Sequence, residues 1–378
     1  MPEYITVKGE RFPTDTKHFM MSKYNLNNED IGCLGQLTKL SGDLCLSGNL
    51  ISDLSPVSGL TKLKEMDISE NLISDISPLS GLTKLERLYM YKNKITDISP
   101  LSGMTRLREL DISHNSVEDI GALRGLSSLT YPNLSGNRIC SLAPLSGLTA
   151  LEDLRIEDNP VDDLSPLTGL PKLMCLNITN TRVSDISPVC SAGALKILTA
   201  EDTRITDISP LTGLPKLSCL HLSGVKDDIT PLTRLPELFE LGLISAGIDD
   251  LNIFGSMKSL GRLYLSRNRI TDISPLSELH GLDSLFLANN GITDISPLAR
   301  LKKLGTLNLS DNMISDISAL AGLKKLRYIW LKNNRIRDIS PLLELDDPRM
   351  ITLGGNALDM YDIEPLQKKF PDCNITLC

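Results

Sequence analysis

Aromatic side chains are scarce, at 4% of the 378 residues, and Trp330 is the only tryptophan. A core of useful size must therefore be built from leucine and isoleucine. Histidine is scarcer still. His18, His114, His221 and His280 are the only four, which argues against a histidine-based catalytic array. No apolar run approaches the roughly eighteen residues of a membrane helix, so no membrane insertion is expected. Glycine-rich phosphate loops and Cys-x-x-Cys pairs are missing, and no cofactor or metal is expected. Met1–Glu10 is polar and lacks the apolar segment of a signal peptide. As written, this points to the cytoplasm; a secreted or cell-surface protein follows if the sequence is trimmed from a longer one.

The eight cysteines are Cys33, Cys45, Cys140, Cys175, Cys190, Cys219, Cys373 and Cys378. Cys45, Cys175 and Cys219 fall on exposed strand positions of the repeat described next. Cys175 and Cys219 stand two repeats apart, about 10 Å by strand spacing and too far for a disulfide. Only Cys373 and Cys378 are close enough in sequence to pair with each other. Scattered thiols suit a reducing compartment.

What the chain does have is a period. Leu85–Arg106, LERLYMYKNKITDISPLSGMTR, is one 22-residue repeat, restated about fifteen times. Its form is L-x-x-L-x-L-x-x-N-x-I-x-D-I-S-P-L-x-x-hydrophobic. A fixed period of this length signals a solenoid. Leu88 and Met90 alternate with Arg87, Tyr89 and Tyr91, the pattern of a short strand with one face buried. Asn93 ends the strand, and its buried amide is expected to bond backbone groups of its own and neighbouring repeats. Ile95 and Ile98 return to the core. Ser99-Pro100 reads as N-cap and first residue of a short helical turn.

The repeat N-x-I-x-D-I-S-P-L-x-G-L-x-x-L resembles the 22-residue leucine-rich repeat of the internalins, bacterial surface proteins that bind host receptors. The match covers roughly Phe19 to Leu366. It implies an α/β solenoid: a right-handed leucine-rich-repeat superhelix with a parallel sheet on the concave side and short 3-10 or helical turns on the convex side. Residues 1–40 are then an N-terminal cap with a degenerate first repeat, 41–356 the repeats, and 357–378 a C-terminal cap. In the first cap, Tyr4–Phe12 reads as a hairpin around Lys8-Gly9, with Phe19 and Met21 at leucine positions and Tyr24 at the asparagine position. The last cap is expected to hold an amphipathic helix over Ile363–Phe370.

The net charge of -8 is largely a product of the repeat. An aspartate recurs at its thirteenth position, as in Asp53, Asp75, Asp97 and Asp272, where a carboxylate can accept N–H groups at the start of the helical turn. An acidic chain also argues against nucleic acid as the main partner. Two irregularities stand out. Pro132 takes a strand-core leucine position and removes a backbone donor. Thr181, Thr203, Val225 and Ala246 replace four consecutive ladder asparagines, and the Val225-to-Ala246 step has 21 residues instead of 22. This stretch is expected to be the weakest, and its break in regularity makes His221, Gly242 and Ile244 a secondary candidate pocket.

Catalysis needs convergent groups. Cys219 and His221 share the exposed face of one strand, but no orienting partner or oxyanion loop is legible, so no catalytic residues are assigned. The exposed strand positions are more informative. The first ten repeats carry twelve acids there, against Arg87, Lys92 and Arg155; the last five carry only Asp311, against Arg262, Arg267 and Lys332. Seven of the aromatic residues also lie on this face. Core packing does not account for them, and the competing explanation is stacking along the ladder. Aromatics beside arginine have the composition of a binding surface. The partner-binding candidates are Tyr89, Tyr91, Arg262, Tyr264, Arg267, Phe286, Tyr328, Trp330 and Lys332. The expected function is non-catalytic binding of a protein on the concave face by a monomer, with a receptor or adhesion role implied by the internalin resemblance. The alternative is a cytoplasmic scaffold or regulator similar to the leucine-rich regulatory subunit of protein phosphatase 1.

Overall fold

The computed structural model describes residues 3–225 and 228–377. The chain divides into two compact units, Met1–Leu195 and Lys196–Cys378. Each is a stack of repeats, with parallel strands on one side and 3-10 turns on the other. This is the leucine-rich-repeat solenoid fold that the periodicity predicts.

The first unit opens with an antiparallel hairpin, Tyr4–Val7 (β1) and Glu10–Pro13 (β2), turning at Lys8-Gly9. Ile5 and Val7 are buried, so the hairpin turns one apolar face inward. The parallel strands follow: Phe19–Met20 (β3), Asp43–Cys45 (β4), Glu65–Asp67 (β5), Arg87–Tyr89 (β6), Glu109–Asp111 (β7), Tyr131–Asn133 (β8), Asp153–Arg155 (β9) and Cys175–Asn177 (β10). The 22-residue period sets the register: Met66, Leu88 and Leu110 stack in line, and all three are buried. Pro132 cannot donate, and β8 and β9 pair only at Asn133 and Arg155. Phe19 and Met21 are buried as expected. Tyr24 departs from expectation: its side chain is exposed, because a phenol cannot supply the two amide hydrogens that the ladder position uses.

The second unit stacks Ile197–Ala200 (β11), Cys219–Ser223 (β12), Glu240–Ile244 (β13), Arg262–Tyr264 (β14), Ser284–Phe286 (β15), Thr306–Asn308 (β16), Tyr328–Trp330 (β17), Met350–Thr352 (β18) and Asn374–Thr376 (β19). The helix near the end, Met360–Lys369 (α1), begins three residues earlier than the hydrophobic pattern suggests. Asp359 caps it by accepting the N–H groups of Tyr361 and Asp362, and Asp362 returns a carboxylate to the Asp359 N–H. β19 then pairs in parallel with β18, an extra strand that the repeat pattern does not contain.

The asparagine ladder behaves as predicted. Asn312 donates to the carbonyls of Leu309 and Ser310 in its own repeat and of Leu287 in the preceding one, and accepts the N–H of Ile292. Where asparagine is missing, the backbone partly substitutes for it. Among the described residues, the Thr203 side chain makes one bond, from Oγ1 to the carbonyl of Ala200 at 3.0 Å. The strands there run longer, and pairing extends to Ala200–Leu222, Leu222–Leu243 and Ser223–Ile244. The expected weak stretch is therefore a zone in which main-chain pairing takes over acceptors that the amide holds elsewhere.

The helical turns carry one correction. The cap position before each Ser-Pro, such as Ile273, receives no side-chain cap. The thirteenth-position aspartate does this work: Asp272 accepts the N–H of Ser274 at 2.8 Å and its hydroxyl at 3.0 Å.

Candidate functional site

Alternation along each strand sends leucines inward and leaves two side chains per strand on the outer face. In the second unit these outer positions bring rings together. Tyr264 and Phe286 are neighbours in register and stack with centroids 4.7 Å apart and planes within 8°. Phe286 reaches Trp330 at 6.3 Å across the intervening Asn308. Tyr328 stands beside Trp330 on the same strand, also at 6.3 Å. Tyr264, Phe286 and Trp330 are half-buried and Tyr328 is exposed. Burial holds the Tyr264 hydroxyl above its ordinary pKa, and the Glu240 carboxylate adds to the effect.

The cationic border differs from the sequence reading. Arg262 is already engaged: its guanidinium lies 3.1 Å from Glu240 and 3.8 Å from Asp283, and over the ring of Phe239. Arg267 is exposed, at a position that takes φ of +59°. The same left-handed turn recurs at the equivalent position of other repeats, for example at Glu70, Asp158, Asp202 and Asp311. Aspartate and asparagine tolerate this conformation better than most residues. Part of the acidity assigned to this face is thus turn chemistry. Lys332 is half-exposed beside Trp330.

Tyr89 and Tyr91 belong to the first unit, and their neighbours are carboxylates. The Tyr89 hydroxyl donates to Glu109, and Arg87 Nε donates to Glu65 at 2.7 Å. Burial, with the Glu109 hydrogen bond second, raises the Tyr89 pKa. Lys92 pairs with Glu70 at 3.0 Å and lies over the Tyr91 ring. Tyr89, Glu109, Asp111, Tyr131, Asp153 and Arg155 line a hollow of about 280 Å³.

The secondary site is not a pocket at Gly242. That glycine is buried under the imidazole of His221, which bonds Glu240 through Nε2 at 3.0 Å. Ile244 is half-buried at the end of β13. Sequence reasoning missed Phe239, which is exposed and lies where a Gly261 side chain would stand. The signal was available: an aromatic residue followed by glycine at the same position of the next repeat. Cys33, Cys45, Cys140, Cys190 and Cys373 carry no disulfide among the described residues; Cys378, the one cysteine close enough in sequence to pair with Cys373, lies outside them.

The profile "Leucine Rich repeats (2 copies)" matches residues 43–81, 61–103, 258–300, 280–322 and 302–344, and "Leucine rich repeat" matches 92–139. A search of curated proteins gives no match. Among solved structures, an internalin (inlF) from Listeria monocytogenes is 36% identical, with a TM-score of 0.72 over 78% of this chain and 88% of that one. A leucine-rich repeat protein of Leptospira interrogans shares the fold at 22% identity, with a TM-score of 0.70 over 96% of each chain. A plant peptide hormone receptor, solved in complex with RGF2, shares it at 20% identity, with a TM-score of 0.60 over 91% of this chain and 65% of that one. No helix among the described residues is long and apolar enough to cross a membrane. The repeat, the asparagine ladder and the similarity to inlF together make this chain a member of the internalin-like leucine-rich repeat family.

Proposed function

We propose that this protein is a non-catalytic binding module whose partner, a protein, docks on the outer strand face of the second unit. The observation that carries this reading is the run of rings from Tyr264 through Phe286 to Trp330 with Tyr328 beside it. Leucine-rich repeat modules commonly bind proteins, and large aromatics at a surface patch are typical anchors of such contacts. Residues 1–40 and 357–378 act as caps to the repeats between them, and the module works as a monomer. The internalin relationship favours a host or cell-surface receptor as the partner class. Arg262 serves mainly to hold Glu240, which leaves Arg267 and Lys332 as the cations available to a partner.

The test is a pull-down with the whole chain as bait, followed by Trp330→Ala with Phe286→Ala. Truncating true anchors costs about 2 kcal/mol or more of affinity each. Melting should shift much less, because both side chains are part-exposed. Partner affinity unchanged by the double variant sinks this surface as the site.

A further inference from the structure

We propose that Cys219, His221 and Glu240 form a zinc site on the outer strand face of the second unit. Among the described residues, these three each present one ligand atom, and the three atoms lie within 4.8 Å of one another. The strand register builds the cluster. Cys219 and His221 are two residues apart on β12 and share its outer face. β13 sets Glu240 directly beside Cys219 and Gly242 beside His221. With no side chain at Gly242, the imidazole leans over β13. There its Nε2 meets Glu240 Oε1 at 3.0 Å, and its ring packs against Tyr264 at 5.4 Å.

The surroundings suit a bound cation. His221 Nδ1 faces Glu201 at 3.7 Å. A carboxylate on the far nitrogen is what fixes the ring orientation and tautomer of a ligating histidine. Glu240 Oε2 accepts from Arg262 at 3.1 Å, which holds the carboxylate with Oε1 toward the imidazole. With Cys219 as thiolate, the charges of Cys219, Glu240, Glu201 and Arg262 sum to minus two, which a divalent ion balances. Thiolate with imidazole selects zinc over calcium or magnesium. The His221 and Glu240 side chains keep 19% and 20% of their exposure, enough to admit water as a fourth ligand. The arrangement escapes a motif search because its third ligand comes from the next repeat. The proposal is independent of the protein-binding reading, since the metal alone tests it.

The full chain, freed of metal with a chelator, is titrated with Co²⁺ and then with Zn²⁺ as competitor. The expected result is saturation at one equivalent, with a sulfur-to-cobalt charge-transfer band that zinc abolishes. Cys219→Ser removes the band. His221→Ala and Glu240→Gln each weaken binding by about a hundredfold or more, and Glu201→Gln by roughly tenfold. Cys140→Ser leaves it unchanged, and melts taken without metal confirm that each variant is folded. No saturable uptake by the unaltered chain overturns the proposal, as does a band that survives Cys219→Ser or disappears with Cys140→Ser.

Discussion

A β-carbon at Gly242 would stand 2.6 Å from Nδ1 of His221. The glycine is required by its neighbour's ring and not by its own backbone, since its φ is not positive. Gly242→Ala must therefore push the imidazole off Glu240 and Tyr264. Overpacking of this kind costs about 1–3 kcal/mol, read as a lower melting temperature. His221→Ala in the same chain should restore most of the loss. A Gly242→Ala variant as stable as the parent would mean that the ring moves aside freely.

The irregular stretch makes a second prediction at one amide. Ile270, Ile292 and Ile314 each donate their N–H to the asparagine of the following repeat at 3.0 Å. Ile205 occupies the same position, but its counterpart is Val225, whose side chain has no polar atom to accept. A missing hydrogen bond is worth roughly 0.5–1.5 kcal/mol, so the Ile205 amide should exchange about tenfold faster than that of Ile292. Leu220 and Leu241, in the lengthened strands, should stay slow. Hydrogen exchange read by NMR or by fragmentation decides the matter, and equal rates at Ile205 and Ile292 count against it.

Acid should undo the helical turns. Hydrogen bonds from the N–H and then the hydroxyl of Ser274 hold the Asp272 carboxyl below the ordinary aspartate value of 3.8. Asp75, Asp207 and Asp338 are held down in the same way. Because the folded value is the lower one, this stabilisation is complete above the unfolded value and fades as pH falls through it toward the folded one. The melting temperature should drop as pH falls below about 4. Asp207→Asn with Asp272→Asn should flatten that drop, since the amide oxygen still accepts the N–H without titrating. An unchanged pH profile would remove these carboxylates from the explanation.

The thiols should differ sharply in reactivity. Burial, reinforced by Asp67, Glu65 and Asp43, pushes Cys45 up to about 11. Burial and Asp185 do the same to Cys190. Cys140 is exposed. Only the thiolate attacks, so alkylation near pH 8 should label Cys140 first and Cys45 and Cys190 about a hundredfold more slowly. Mass spectrometry of the labelled peptides over time is the check, and Cys45 labelled alongside Cys140 would contradict it.

The repeat made most of the fold readable. Leu88 over Leu110, the amide ladder and the hairpin at Lys8-Gly9 all follow from periodicity and turn chemistry. Spacing alone places Tyr24 in the ladder, but a phenol does not have the donors of an amide. The aspartate's role at the helical turns is legible in the sequence, whereas the serine does not make the cap that its place before proline suggests. On the outer face, the ring stack from Tyr264 to Phe286 could be inferred because register places like positions side by side. The pairing of Arg262 with Glu240 and the tilt of His221 over Gly242 could not, because they depend on side chains crossing between strands.

The ladder also has a direction. Each asparagine reaches backwards: Asn268 satisfies the carbonyl of Leu243 and the N–H of Ile248, both in the preceding repeat. A repeat leaving the ribosome thus stays incomplete until the next asparagine emerges. At about 5–20 residues per second, 22 residues take roughly one to four seconds. The folding front should trail the growing chain by that interval, one repeat behind. A nascent chain arrested within the array would end on a repeat whose isoleucine N–H still lacks its acceptor, and chaperones that scan for unfinished surfaces would meet it there. Asn356 supplies the acceptor for Ile336, and α1 and β19 follow it in the chain.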